Sequence, residues 1–166
     1  QQLKRQRILQ QLEEDGVLSL NRELELPTPL QRIAIISAEN AAGYEDFVNQ
    51  LEQSGFKFQS HLFPANMQGV LVAESVITAL DAIALEQEKW DVVVSIRGGG
   101  ATSDLDGFEN YDLAANIAQF PLPILTGIGH ERDDTVIDFI AHTRCKTPTA
   151  VAAFLIERMQ NVHAII

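Results

Sequence analysis

Apolar residues recur along this chain at two spacings, and the alternation between them is its main structural signal. Ile33-Ala34-Ile35-Ile36 is a short unbroken apolar run, the habit of a strand buried on both faces. Tyr44, Phe47, Val48 and Leu51 follow at i, i+3, i+4 and i+7 and predict an amphipathic helix that stops near Gly55. The segment 56–62 alternates only partly, which suits an edge strand with one wet face. Ala73, Val76, Ile77, Leu80, Ile83 and Ala84 predict a second helix, ending before Trp90. Residues 92–96 read as the next buried strand and Leu113 with Ile117 as a third helix. Residues 124–128, after the turn at Pro121-Leu122-Pro123, read as a fourth strand. Val151, Leu155 and Met159 place a last helix from Pro148 onward, where proline suits the first turn. Strands alternating with helices predict an α/β fold: a mostly parallel, Rossmann-like sheet with helices on both faces and right-handed crossovers.

Upstream of the regular part, Leu3, Ile8, Leu9 and Leu12 follow a roughly helical period, and Gly16 is a suitable stop. Leu26-Pro27-Thr28-Pro29 then reads as an extended linker, because each proline disfavours helix at the residue before it. The expected division is a helical arm and linker over 1–29, an α/β domain over 30–150, and a helix over 151–166. An isolated helix on a linker gives the chain the look of a piece of a longer protein.

Composition narrows the options. Hydrophobic residues are 46% and charged residues 21% of 166, an ordinary globular balance. No apolar run approaches the ~20 residues a membrane span needs. Cys145 is the one cysteine, which excludes an internal disulfide and a multi-cysteine zinc site and fits a reducing cytoplasm. A net charge of −11 argues against broad electrostatic binding to nucleic acid or anionic membrane, though not against a local cationic site.

Parallel α/β sheets bind ligands beyond the carboxyl ends of their strands, which directs attention to residues 37–46, 97–107 and 129–134. The clearest signal is Arg97-Gly98-Gly99-Gly100, directly after a buried strand. Successive glycines permit close approach of a ligand, their amides can form an anion-binding nest, and the guanidinium can hold phosphate oxygens bidentately. No Gly-Lys-Ser/Thr follows, so this is not a Walker-type loop. A second cluster, Gly129-His130-Glu131-Arg132-Asp133-Asp134, also follows a strand. His130 can move protons near neutral pH, and Asp133 could orient its ring if the stretch turns into a helix. The competing use of His130, Asp133 and Asp134, with Asp104 or Asp106, is as hard ligands for Mg²⁺ or Mn²⁺, at a spacing with no established signature. Asp104, Asp106, Glu109 and Asp112 read as a solvated helix start, and Asp46 as an acidic residue early in its helix. His61, His142 and His163 read as structural or surface residues.

Ile96-Arg97-Gly98-Gly99-Gly100 with Asp104-Leu105 and Phe108 resembles the large subunit of bacterial exodeoxyribonuclease VII. So does the run from Gly129 to Thr135, followed by Asp138, Ala141, Arg144 and Thr147-Pro148-Thr149-Ala150. The resemblance runs from about Leu12 to the end. It implies a nuclease that degrades single-stranded DNA from either end into short oligonucleotides. It also implies a partner small subunit, gathered by a long helical region of which 151–166 would be the start, and an OB-fold domain elsewhere in the large subunit. By the resemblance, Asp46, Arg97, His130 and Asp133 are the catalytic residues, Gly98, Gly99 and Gly100 bind phosphate, and Arg144 and Thr147 match a second phosphate-like loop. No metal would be strictly required, with Mg²⁺ an optional ion. The sequence departs from the family's usual pattern at Ala101 (Ser), Asp106 (Trp) and Glu109 (Asn), and the 37–46 connection is one residue longer. Two readings of another class stand beside it: a Rossmann-like module that senses a nucleotide or sugar phosphate without reacting, and an unrelated metal-dependent phosphoesterase.

Overall fold

A computed structural model describes residues 2–98, 105–128 and 135–165, with backbone alone for residues 2 and 163–165. In chain order the elements are α1 (Gln2–Glu14), β1 (Arg32–Ser37), α2 (Ala42–Gln53), β2 (Gln59–Pro64), α3 (Val72–Ala84), β3 (Val92–Ile96), α4 (Tyr111–Ala118), β4 (Ile124–Gly127), α5 (Val136–Ile140), β5 (Thr143–Arg144) and α6 (Pro148–Ile165). Short 3₁₀ turns lie at Gln87–Lys89 and Asp106–Phe108.

The strands form one sheet in the order β2-β1-β3-β4-β5, and every neighbouring pair is parallel. Side chains alternate across it. Ala34, Ile36, Val93 and Ile124 enter a core shared with α1, α3, α4 and α5, while Ile33, Ile35, Val92, Val94, Ile96 and Leu125 enter one shared with α2 and α6. Because both faces of β1 and β3 are covered, their sequences show unbroken apolar runs rather than alternation. The expected α/β class is therefore the observed one. β2 is the outer strand on one side and its first half is exposed, as its partial alternation foretold, but it spans Gln59–Pro64 rather than 56–62. Helix α5 and strand β5 gave no periodic signal because they hold five and two residues.

The first helix is not the isolated element its linker suggested. Ile8 and Leu12 are buried in the core, Leu12 completely, where α1 meets α4 and α5. The segment after it is tied down by the buried Asn21, whose Nδ2 donates to the carbonyls of Phe120 (3.2 Å) and Leu122 (2.9 Å). Its Oδ1 accepts from the Ile124 amide at 3.0 Å. The His142 ring bridges the Leu24 carbonyl, 2.9 Å from Nε2, and the Thr143 hydroxyl, so its role is structural as expected.

At the amino ends of the strands, Asp91 closes β1 and β3 together. It accepts from the Gln31 and Arg32 amides at 3.0 and 2.8 Å and from the Arg32 guanidinium at 2.8 and 3.1 Å. Partial burial pushes its carboxyl up, but the Arg32 side chain and the two amides outweigh that and hold it below the ordinary carboxylate range. Among the described residues no helix is long and apolar enough to cross a membrane.

If α1 is part of the core, Leu12→Ala should cost about 2–5 kcal/mol. Urea unfolding of this chain checks it, and an unchanged midpoint would show that the arm contributes nothing to the domain.

Candidate functional site

The carboxyl ends of β1 and β3 are neighbours in the sheet, yet the chain leaves them for opposite faces: α2 follows β1 on one side and α4 follows β3 on the other. Such a switch point leaves a crevice that doubly wound sheets use for ligands. Here it is a cavity of about 470 Å³ lined by Ser37, Ala38, Ala41–Gly43, Asn66–Gln68, Arg97 and Gly98.

Three connections build its walls. The first is the start of α2. Its N-cap, Ala41, has extended backbone and makes no side-chain capping hydrogen bond. Among the described residues the amides of the first turn, which have no intrahelical partner by helix geometry, are therefore not capped by a side chain. The second is the connection after β3. Gly43 and Gly98 touch backbone to backbone: a Cβ on Gly43 would lie 2.8 Å from the Gly98 Cα. Glycine at both positions lets the helix start and the loop after Arg97 converge. The third is the connection after β2, where the buried Met67 offers its carbonyl to Arg97 Nε at 3.0 Å. That bond fixes the guanidinium plane at the cavity wall. Ser75 holds this connection to α3 by accepting from the Asn66 amide (2.8 Å) and donating to the Asn66 carbonyl (3.2 Å). A fixed guanidinium facing uncapped helix amides is an arrangement that suits an anion with several acceptor oxygens.

The sequence-derived candidates are distributed as follows. Arg97 and Gly98 line the cavity. Asp46 is exposed on α2 and does not line it, though it shares the helix face of Ala42, which does, one turn farther along. Arg144 is exposed on β5, opposite Thr126 of β4. The Thr147 hydroxyl caps α6, accepting from the Ala150 amide at 3.1 Å. The Thr147 carbonyl lies so close to Gly127 that a Cβ there would sit 2.7 Å from it. Gly99, Gly100, His130 and Asp133 lie outside the described residues. Their flanks are placed: Ile96 is in register with Gly127, and the Arg97 amide donates to the Gly127 carbonyl at 3.1 Å. The connections after β3 and β4 thus depart from neighbouring strands at one rim. Among the described residues no group of three His, Cys, Asp or Glu is arranged to hold a metal. Burial raises the Cys145 thiol to about 11, which favours its protonated form at neutral pH.

One expectation is corrected. Glu109 is not on a solvated helix start but buried, 5% exposed, with Oε1 accepting from the Val136 amide at 2.7 Å and Oε2 from Arg5 Nε at 3.3 Å. The cap of α4 is instead Asn110, whose Oδ1 accepts from the Leu113 amide. Sequence reasoning also missed Gly43, Asn66, Met67 and Gln68. A glycine in a helix's first turn was a usable sign of close approach, and the carboxyl-end rule would have reached 66–68 had β2 been extended to Pro64. A main-chain carbonyl such as that of Met67 leaves no trace in side-chain pattern.

Fold and cavity together define an α/β domain with an anion-suited crevice at its switch point. The profile of the family described as "Exonuclease VII, large subunit" matches residues 17–166. The exodeoxyribonuclease 7 large subunit of Deinococcus radiodurans is 40% identical over 155 residues, which cover 90% of this chain and 37% of that protein. The one from Nitrosomonas eutropha is 34% identical over 95% of this chain and 35% of its own length, and that of Lactobacillus acidophilus 30% identical over 93% and 35%. The chain belongs to the exonuclease VII large-subunit family. It spans about a third of the length of these relatives.

Adding a methyl at Gly43 must force α2 and the Arg97–Gly98 backbone apart, an overpacking of about 1–3 kcal/mol. Gly43→Ala should therefore weaken binding of inorganic phosphate, followed by NMR titration, by roughly 5-fold or more. Equal affinity in the two proteins would show that this contact does not shape the cavity.

Proposed function

We propose that this chain is the phosphodiester-hydrolysing core of an exodeoxyribonuclease that degrades single-stranded DNA from either end into short oligonucleotides. It would work with a small subunit in the cytoplasm. The observation that carries the reading is Arg97, held by the Met67 carbonyl at the wall of the switch-point cavity, in a chain of this family.

Hydrolysis of a phosphodiester needs an activated water, compensation of charge growing on the phosphoryl oxygens, and a proton for the leaving oxygen. Arg97 supplies the compensation together with the amides of Gly98, Gly99 and Gly100, as preorganised donors that need no rearrangement during the reaction. His130 moves the proton as general acid or base, and Asp133 orients its ring. Asp46, on the outer turn beyond Ala42, orients water or substrate. Arg144 and Thr147 extend the phosphate path towards β5. The reaction in this reading does not strictly require a metal, and Mg²⁺ would add charge compensation at the same oxygens.

The test is a nuclease assay on the intact large subunit with its small subunit. Arg97→Lys keeps the charge but loses the planar two-pronged contact, so activity should fall severely with little change in melting temperature. His130→Ala should lower the rate by roughly 10²–10⁴ while DNA binding survives, and activity should persist in chelator. Near-normal turnover by His130→Ala would make the histidine structural, and abolition by chelator would return weight to a metal-dependent phosphoesterase.

A further inference from the structure

Two carboxylates hold the carboxyl rim of the sheet together from beneath. Asp138 accepts from the Thr126 hydroxyl at 2.8 Å and from the Thr135 amide and hydroxyl at 2.8 and 3.1 Å, which is local trimming of α5 against β4. Glu109 does something less local. It closes the connection that Arg97 opens, and its Oε1 accepts from the amide of Val136, the first residue of α5 and the point where the connection after β4 ends. Its Oε2 accepts from Arg5 of α1. One side chain therefore joins the ends of both rim connections, 27 residues apart, to a helix 104 residues away in sequence.

A carboxylate this buried is costly unless its oxygens are satisfied, and here both oxygens have donors. Its geometry is accordingly fixed, and it transmits that fixity. The 3₁₀ turn at Asp106–Phe108 that precedes Glu109 packs on the connection after β2: a Cβ on Gly107 would lie 2.5 Å from the Gly69 carbonyl oxygen. Two residues before Gly69 is Met67, whose carbonyl orients Arg97. A continuous run of contacts thus leads from Glu109 to the guanidinium at the cavity wall.

We infer that Glu109, braced by Arg5, is a positioning residue: it fixes where the connections after β3 and β4 end, against the connection after β2, and thereby the placement of Arg97. The inference rests on the proposed nuclease reading and deepens it, since it assigns to α1 and the end of the β3 connection a part in the reaction without contact with substrate.

The test uses the intact large subunit with its small subunit, assayed for kcat and KM on single-stranded DNA. Glu109→Ala removes the acceptor for the Val136 amide, and kcat should fall about 10- to 100-fold, the scale of a misplacement near 1 Å, with KM little changed. Glu109→Gln keeps an oxygen for the Val136 amide but sets an NH2 group against Arg5 Nε, so it should recover part of that kcat. Melting temperatures of both variants are measured alongside, so that kcat is compared where each is folded. Wild-type kcat in folded Glu109→Ala, or a loss that Glu109→Gln does not repair even in part, overturns the inference. Should Glu109→Ala fail to fold, Arg5→Gln decides: a lower kcat at unchanged KM supports the bracing, and a wild-type kcat overturns it. An inactive wild-type enzyme overturns both this inference and the nuclease reading, an outcome distinct from active wild type with indifferent variants.

Discussion

Where β1 pairs with β3 the chain must send its helices to opposite faces, and the two backbones that leave the sheet there, at Gly43 and Gly98, come into direct contact. A side chain on either residue would separate them. From that contact follow the position of α2's uncapped first turn, the path of the chain after Arg97, and the cavity between them. The neighbourhood of Gly43 extends to Pro148, whose Cγ would lie 3.1 Å from a Cβ there, so the start of α6 is set by the same packing.

The two ends of the sheet solve different problems. At the amino end Asp91 gathers four donors from Gln31 and Arg32 and ties β1 to the turn before β3, a self-contained arrangement. At the carboxyl end backbone donors are left uncapped and a guanidinium is held by a main-chain carbonyl. Donors held in place by a sheet that is buried on both faces are preorganised in the way a charged ligand requires.

Buried polar side chains do the joining that apolar packing leaves unspecified. Apolar contacts are non-directional and set which face of a helix is covered, but not its exact placement along the sheet. Asn21 places the segment after α1 against the entry to β4 through three main-chain bonds. Asp138 fits α5 to β4, and Glu109 links α1, α5 and the loop from β3. Each binds main-chain groups, so each fixes one register.

The α/β class, the central strands and α2, α3 and α6 were legible in residue order, because burial on one or two faces imposes a period that neighbouring residues must display. The place of Arg97 and Gly98 at the cavity wall was legible for a related reason: a glycine run after a core strand marks a place where backbone comes close to its surroundings. α5 and β5 were not, being too short to express a period. Nor was the burial of Glu109, since an acidic residue near a helix start looks the same in sequence whether it faces water or a distant amide. Leu12 in the core, Met67's carbonyl on Arg97 and Asp46 outside the cavity wall are likewise relations between segments far apart in the chain. Local pattern records which side of an element is covered; it carries no record of which distant group does the covering, because that is decided by how the helices pack once the sheet has formed.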